Sequence, residues 1–431
     1  MTQKNEETIE LEIKRVAYGG KGIGLYKNKT TFVPKTIEGD LIEATLVKEH
    51  KKYCEANLLQ IKEKSPFRID SPCIYSKECG GCQWIDVDNK KQIEYKENFI
   101  KDSFERIGKT KLTVPLSFFD SKESFYYRNR ILFRGTYTNG SLKLGFFAQE
   151  SHNQVHVGHC KIAHPAINDL LVFLNQKKLE KKRTQKFRLE VQVLPTHYKN
   201  NEPHLLITIH PVERNHELEP LLKVLQSNHS IQWVSYKKEQ KKSLFSLFEQ
   251  ENSLSYYTKP GIFQQINTES NHELRKIIKQ KIKEKKIKKV LDLYCGSGNL
   301  SLGLTQLTQK VLGIEDNKEA ITVAQHNVKQ NKLESIEYKA ADSSQFLKEN
   351  LEQLKEFDCL ILDPPRKGAK EDIQSILKIS PRFIFYVSCD PTTAARDYSF
   401  LKEDYKIIEI KALNFFPQTY HIESFFILEK N

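Results

Sequence analysis

The stretch VLDLYCGSGNLSLGL, residues 290–304, reads as an apolar strand that runs into a glycine turn and then a helix. Gly296 and Gly298 permit the tight turn, and the N-terminus of the helix can receive a polar cofactor. A dinucleotide fingerprint asks for glycine at position 301; this chain has Ser301, which argues against a nicotinamide cofactor. Outward from this stretch, and throughout the chain after residue 255, the strand-like runs QKVLGIEDN, SIEYKAAD, FDCLILDPP and FIFYVSCDP alternate with helical segments. That alternation predicts a parallel α/β sheet, whose ligands bind at the carboxyl ends of the strands. Glu315 closes the second run, 19 positions after Gly296, where a carboxylate can accept the two hydroxyls of an adenosine ribose. Asp342 closes the third, where a polar side chain can meet adenine. Singly, each is most simply a loop carboxylate; together, at successive strand ends, they favour an adenosine cofactor.

The remaining chain must hold more than this fold. At roughly 150 residues per domain, 431 residues suggest about three domains. Hydrophobic residues at 39% supply cores, and a mean hydropathy of −0.57 with no long apolar run excludes a membrane-spanning protein. The opening MTQKNEETIELEIKR lacks the apolar core of a secretory signal, so a cytoplasmic protein with reduced thiols is expected. Its eight cysteines then need a reading other than disulfides. A net charge of +13 points to a polyanionic partner, nucleic acid first, against the plainer reading of a soluble Lys-rich protein. Residues 271–290 carry nine Lys/Arg, but Leu274, Ile277, Ile278 and Ile282 recur at helical spacing, so these lysines most simply form the solvated face of an amphipathic helix.

Residues 8–62 read as about five short strands with tight turns, an OB-like β-barrel. Residues 88–108 repeat Ile93, Phe99, Ile100, Phe104 and Ile107 at a helical period, with Gly108 placed to stop the helix. From FYYRNRILFRG to about residue 250, strand-like runs (KLGFFA, VQVLPTHY, HLLITIHP, IQWVSY) alternate with polar connectors, as in an α+β domain. Cys73, Cys79 and Cys82 form C-x5-C-x2-C around Gly80–Gly81, with Cys160 distant in sequence. This spacing favours an iron–sulfur cluster over zinc, although His152, His156, His159 and His164 nearby keep zinc open. Cys54, Cys295 and Cys359 read as core residues. Cys389 ends the strand FIFYV; such a lone cysteine is usually a small buried hydrophobe, yet at a carboxyl edge a turn can expose its sulfur.

Several motifs carry a resemblance. PGIFQQIN, DLYCGSGNLSLGL, DPPRKG, SCDPTTAARD and FPQTYHIESFFIL resemble those of the S-adenosylmethionine-dependent RNA uridine C5-methyltransferases. VAYGGKGIGLY followed by TFVPKTIEGDLIEA is similar to the TRAM domain of RNA-modifying enzymes. The match covers nearly the whole chain. It implies a multidomain protein: a TRAM/OB-like RNA-binding barrel at 1–64, a central domain with a Cys cluster at 65–255 whose helical segment 88–108 can pack on the catalytic domain, and a Rossmann-like methyltransferase domain at 256–431. It further implies that Gln265, Tyr294, Asn299, Glu315, Asp342 and Asp363 line the cofactor and active site, and that Cys73, Cys79, Cys82 and Cys160 hold a 4Fe-4S cluster. Leu300 stands where many members have Phe, and Tyr294 where some do; both keep an apolar or aromatic wall.

Uracil C5 becomes nucleophilic when a nucleophile adds at C6, and the resemblance assigns that role to Cys389. Glu423 is the implied base for the C5 proton, with His421 as its rival and Phe415, Phe416 and Phe425 as aromatic shielding. The DPPR sequence invites comparison with amino-methyltransferases, but Arg366 replaces their aromatic residue and they need no cysteine. Phe125, Tyr126, Tyr127, Arg128, Arg130 and Arg134 can stack on and pair with RNA, Arg128 and Arg130 being the favoured contacts. Because transfer-RNA enzymes of the family it resembles commonly lack both the barrel and the cluster, the resemblance implies 23S ribosomal RNA as the substrate, with transfer RNA as the runner-up. A non-enzymatic iron–sulfur RNA-binding protein is the alternative from another class. No membrane and no obligate protein partner are expected.

Overall fold

The computed structural model describes residues 7–138, 140–178, 185–194, 204–212, 218–235, 245–251 and 253–431. The first strands are β1 (Thr8–Glu12), β2 (Arg15–Val16), β3 (Gly22–Tyr26), β4 (Lys29–Val33), β5 (Leu41–Glu49) and β6 (Tyr53–Glu63). They form one sheet in the order β1-β5-β6-β4-β3-β2. Its two edge strands are consecutive in the chain, so the sheet curls until both edges belong to the same run. The amide of Lys14, between them, donates to the Ile23 carbonyl. Alternation along β1 turns Ile9 and Leu11 inward onto Val33, Ile42, Ala44 and Ala56.

Next come α1 (Asn89–Arg106) and β7 (Leu116–Phe119). Asp88 caps α1 by accepting from the amides of Lys90 and Lys91. A second six-stranded sheet contains β8 (Arg130–Thr138), β9 (Ser141–Phe147), β10 (Gln154–His156), β11 (Gln185–Leu194), β12 (His204–Pro211) and β13 (Ile231–Ser235), in the order β10-β9-β8-β11-β12-β13. Helices α2 (Pro165–Asn175) and α3 (Glu219–Gln226) complete its core. The expected strands at 191–198 and 231–236 run past Leu194 and Ser235 into residues outside those described. The hairpin β14 (Ser246–Glu251) and β15 (Leu254–Thr258) follows, then α4 (Thr268–Glu284).

Helix α4 is amphipathic as its spacing predicts, burying Leu274, Ile277, Ile278 and Ile282. Its basic residues are not all solvated, however. Arg275 is buried and pairs with Glu249 and Glu251, Lys279 reaches Glu251 at 2.7 Å, and Lys281 reaches Glu409 at 2.6 Å.

The last sheet comprises β16 (Lys289–Leu293), β17 (Lys310–Glu315), β18 (Ile336–Ala340), β19 (Cys359–Leu362), β20 (Phe383–Ser388), β21 (Tyr405–Leu413) and β22 (Glu423–Lys430), with β7 added at one edge. The order is β18-β17-β16-β19-β20-β22-β21-β7, and only β22 runs antiparallel to its neighbours. Helices α5 (Lys318–Gln330), α6 (Ser343–Glu349), α7 (Leu351–Leu354), α8 (Ile373–Ile379) and α9 (Pro391–Leu401) complete it. The chain leaves β16 toward β17 and β18 and later returns to β19 on its other side, so a topological switch point lies at the carboxyl end of β16.

Two features differ from expectation. The glycine turn does not lead into a full helix: residues 299–307 make turns around one short 3-10 helix, Leu302–Leu304. Residues 300–304 are buried all round and Gly303 lies against Lys279 of α4, which leaves no polar face for a helix to present. In addition, part of the segment 65–255 is built into the C-terminal sheet. β7 pairs with β21, while α1, the helix read as able to pack on the C-terminal region, lies on α9 with the Phe104 and Tyr398 rings 5.7 Å apart. Among the described residues no helix is long and apolar enough to cross a membrane.

Candidate active site

The parallel registers bring the carboxyl ends of the central strands level, Leu293 lying beside Ile314 and Leu362, and Leu362 beside Tyr386. Each expected residue therefore emerges near one edge. Glu315 accepts from the amide of Gly296 at 3.1 Å and from that of Asn317 at 2.9 Å, tying the glycine turn to the end of β17. Gly298 has φ +86°, and a Cβ there would stand 2.4 Å from the Tyr338 hydroxyl, so the turn accepts only glycine. Tyr294 also adopts a left-handed backbone, and its hydroxyl donates to Asp372.

Not every expected side chain is free to meet a ligand. Asn299 exchanges hydrogen bonds with the amide of Asn271 and accepts from Arg275, so its amide is committed to α4. Asp342 caps α6 through the amide of Gln345 at 2.9 Å while remaining exposed. Gln265 is partly buried, and its backbone carbonyl accepts from Asn129. Its neighbour Gln264, which the sequence reading passed over, donates to Ser297 inside the glycine turn at 3.1 Å.

The expected catalytic residues come together where β20 and β22 meet. Their antiparallel register pairs Ser388 with Ser424, which sets Glu423 across from Cys389. Asp363 stands one residue past β19, the neighbour of β20. Cys389 is partly buried, and its thiol is pushed up to about 12 by burial, then by the charges of Glu423 and Asp363, with Arg366 opposing. Burial holds Asp363 up at about 7. Glu423, only 3% exposed, is driven well above the usual carboxylate range by burial and by Asp363, again against Arg366. Its Oε1 has no hydrogen-bond partner among the described residues. His421 is pushed down to about 4 by burial and the cations Arg366, Lys96 and Arg128, which leaves it a weaker base than Glu423.

The segment from Asn414 to His421, which delivers Glu423, is held by groups that the sequence reading missed. Lys96 of α1 donates to Asn414 Oδ1 at 2.6 Å and to the Phe416 carbonyl at 3.0 Å. Gln92 donates to the side chain of Gln418 and accepts from its amide, both at 3.0 Å. Tyr127 donates to the Pro417 carbonyl at 3.1 Å. The signal was available: Gln92 and Lys96 are polar residues four apart on the apolar face of α1. Of the aromatic shield, Phe415 and Phe425 are fully buried and Phe416 partly so.

Cys73, Cys79, Cys82 and Cys160 converge on one hollow of about 70 Å³, shared with Tyr75, Arg128 and His159. Burial and their mutual charges raise the thiols of Cys79, Cys82 and Cys160. No set of three or more His, Cys, Asp or Glu among the described residues is gathered as around one metal ion. Of the nearby histidines, His164 accepts from Ala166 as the cap of α2. Of the favoured RNA contacts, Arg128 lines the hollow, and Arg130 is paired with Glu190 at 2.7 Å. Arg130 is thus engaged within the fold, whereas Arg128 borders the thiols and its Nε finds no hydrogen-bond partner among the described residues.

A mostly parallel sheet with its switch point at a glycine turn, and a thiol flanked by two carboxylates at its carboxyl edge, define a methyltransferase-like fold. The family profile described as tRNA (Uracil-5-)-methyltransferase matches residues 88–431. An RNA methyltransferase of Protochlamydia amoebophila is 31% identical over 439 residues, covering 98% of both chains. One of Aquifex aeolicus is 30% identical over 437 residues, covering 98% of this chain and 99% of the relative. The fold is shared with the Pyrococcus abyssi tRNA (uracil-54, C5)-methyltransferase solved with S-adenosyl-L-homocysteine, at a TM-score of 0.69 and 22% identity, over 97% of this chain and 100% of that one. The chain belongs to the tRNA (uracil-5-)-methyltransferase family and is an S-adenosylmethionine-dependent RNA uracil-C5-methyltransferase. The reading as a non-enzymatic binding protein falls with that assignment.

Proposed function

We propose that the enzyme methylates C5 of a uridine in 23S ribosomal RNA through a covalent bond between Cys389 and uracil C6, giving 5-methyluridine. The observation that carries the mechanism is the β20–β22 register, which sets Glu423 opposite Cys389 with Asp363 alongside. The Cys389 sulfur adds to C6 as its thiol proton leaves, and the electron pair of the C5–C6 double bond moves onto C5 and the O4 enolate. With a thiol pushed up to about 12, attack needs a proton acceptor; Asp363 takes that proton and returns it to the sulfur as the C6–S bond breaks, which leaves Glu423 free for the C5 proton. S-adenosylmethionine supplies the methyl group as an electrophile. Glu423 then takes the C5 proton, the C5–C6 double bond re-forms, and the C6–S bond breaks. A carboxylate with raised proton affinity suits that step. Glu315, beside the Gly296 amide, is the residue that holds the adenosine ribose, with Gln265, Tyr294 and Asp363 around it.

The N-terminal curled sheet acts as a TRAM-type barrel that binds RNA, followed by a central cluster region and the catalytic region, with divisions near residues 64 and 255. The four cysteines hold a 4Fe-4S cluster that supports this surface. The convergence of the four thiols on one hollow that Arg128 also lines supports a shared site for them. The barrel and cluster motivate ribosomal RNA. Transfer RNA remains the second reading, favoured by the family description and by the substrate named for the Pyrococcus abyssi enzyme. Methyl transfer from labelled S-adenosylmethionine to separated ribosomal and transfer RNA, taken from cells lacking this protein, decides between them. Label recovered as 5-methyluridine in ribosomal RNA supports the first reading; label in transfer RNA alone overturns the substrate and keeps the chemistry.

A further inference from the structure

A cavity of about 380 Å³ lies outside the centre described above, between the Gly19 turn, the segment Gly80–Gln83, the end of the β9–β10 hairpin and Tyr420. It falls within the range of roughly 300–1,000 Å³ typical of small-molecule sites. Phe146, Phe147 and Tyr420 give it aromatic walls, and all three are partly exposed. Gln83 and Gln149 add amides. Gln83 donates to the Gly80 carbonyl at 2.8 Å, but its Oε1 is buried without a partner. The cavity is built by close backbone approach: a Cβ on Gly80 would stand 2.8 Å from the amide nitrogen of Gln149.

Its position relates it to the chemistry. Tyr420 is three residues before Glu423 and packs edge-on against Tyr18 at 6.1 Å; the Tyr18 hydroxyl in turn meets the carbonyl of Cys389. Basic groups flank it. The Arg134 guanidinium lies 4.6 Å over the Phe147 ring, and Lys21 bridges the rim to Glu150 at 2.9 Å. Flat aromatic faces, amides able to donate and accept, and cations at the rim are the chemistry that reads an unstacked nucleobase and its phosphate. A uridine can reach Cys389 only out of its stack, and its neighbours lose their stacking partner at the same time.

We propose that this cavity takes a second base of the RNA, a near neighbour of the target uridine, stacked on Phe147 and Tyr420 and read by the amides of Gln83 and Gln149. The proposal rests on Cys389 being the centre of uridine methylation, and the test separates the two. The methylated uridine is first mapped in total RNA. Oligonucleotides spanning it, each with one abasic nucleotide within about four positions of that uridine, are then compared by kcat/KM for the wild-type protein, Phe147→Ala and Gln149→Ala. One abasic position is expected to cost the wild type about tenfold or more, the scale of one base–aromatic stack, and the variants less than about threefold beyond their loss on intact RNA. Equal losses in wild type and both variants at every position overturn the proposal while methylation itself stands. Absence of methylation on every RNA overturns both readings. S-adenosylmethionine binding confirms folding, and Gln149→Ala alone decides the matter if Phe147→Ala does not fold.

Discussion

The hydroxyl of Tyr18 donates to the backbone carbonyl of Cys389 at 3.4 Å, joining positions 371 apart in the chain. The same ring packs against Phe99 of α1 at 5.6 Å and against Tyr420. The glycine-rich turn of the N-terminal sheet is thereby part of the wall around Cys389. Burial and the charges of Asp390 and Cys389 raise the phenol far above its ordinary range, so it stays a donor at any working pH. An N-terminal region that only captured RNA would have no need of such a contact.

Tyr18→Phe keeps the ring contacts and removes the donor. One hydrogen bond contributes on the order of 1 kcal/mol, so kcat should fall about 3- to 10-fold. Affinity for S-adenosylmethionine should be unchanged. Steady-state methyl transfer checks this, and a loss confined to KM for RNA would show that Tyr18 serves capture instead of the Cys389 loop.

The two proposed catalytic groups should fail differently. Cys389→Ala has no sulfur to add at C6, so it should neither methylate RNA nor form an adduct with RNA containing 5-fluorouridine, which the wild type should trap covalently. Glu423→Gln retains the nucleophile but cannot take the C5 proton. Its turnover should fall by about 10²–10⁴-fold, and the methylated adduct should accumulate on ordinary RNA. Denaturing gels with labelled RNA distinguish the two. A Glu423→Gln protein that turns over normally would pass the role of base to Asp363 or His421.

The strand–turn pattern of 290–304 and the strand-end acids were legible because period and glycine placement are local properties. So was Cys389, as a thiol at a strand end beside a family motif. Other features depended on contacts distant in sequence. Asn299 looks like a ligand residue in the chain, and only folding showed its side chain paired with Asn271 of α4. Arg128 and Arg130 lie in a basic aromatic run, but only folding showed the thiol hollow and Glu190 beside them. The joining of α1 to the Asn414–His421 segment spans more than 300 residues and has no local signature beyond two polar positions on an apolar face.

The cysteine hollow yields a prediction about metal. Protein purified without oxygen should carry iron and acid-labile sulfide in equal amounts, with the broad visible absorption of a cluster. Replacing Cys82, one of the four proposed ligands, by serine should remove both. Tyr127 packs with Cys82 and Cys160 and also holds Pro417, so cluster loss should lower kcat as well as stability. Zinc in place of iron, measured by elemental analysis, would sink the cluster assignment.

Two buried groups set opposite pH slopes on stability. Asp292 is 1% exposed, and burial, opposed by a hydrogen bond from Ser301 and aided by Asp363 and Glu315, raises it to about 7. A carboxyl raised on folding contributes stability that is complete below about pH 4 and is lost as pH rises through 7. Lys96 is the reverse case. Burial lowers it to about 7, so its contribution is present above about pH 10 and is lost as pH falls through 7. Each term is on the order of 3 kcal/mol at its limit. Thermal melting between about pH 5 and pH 8 should therefore show Asp292→Asn gaining on the wild type at the alkaline end, and Lys96→Met losing least at the acid end. Parallel melting curves for wild type and Asp292→Asn across that range would mean that Asp292 carries no ionisation penalty in the fold.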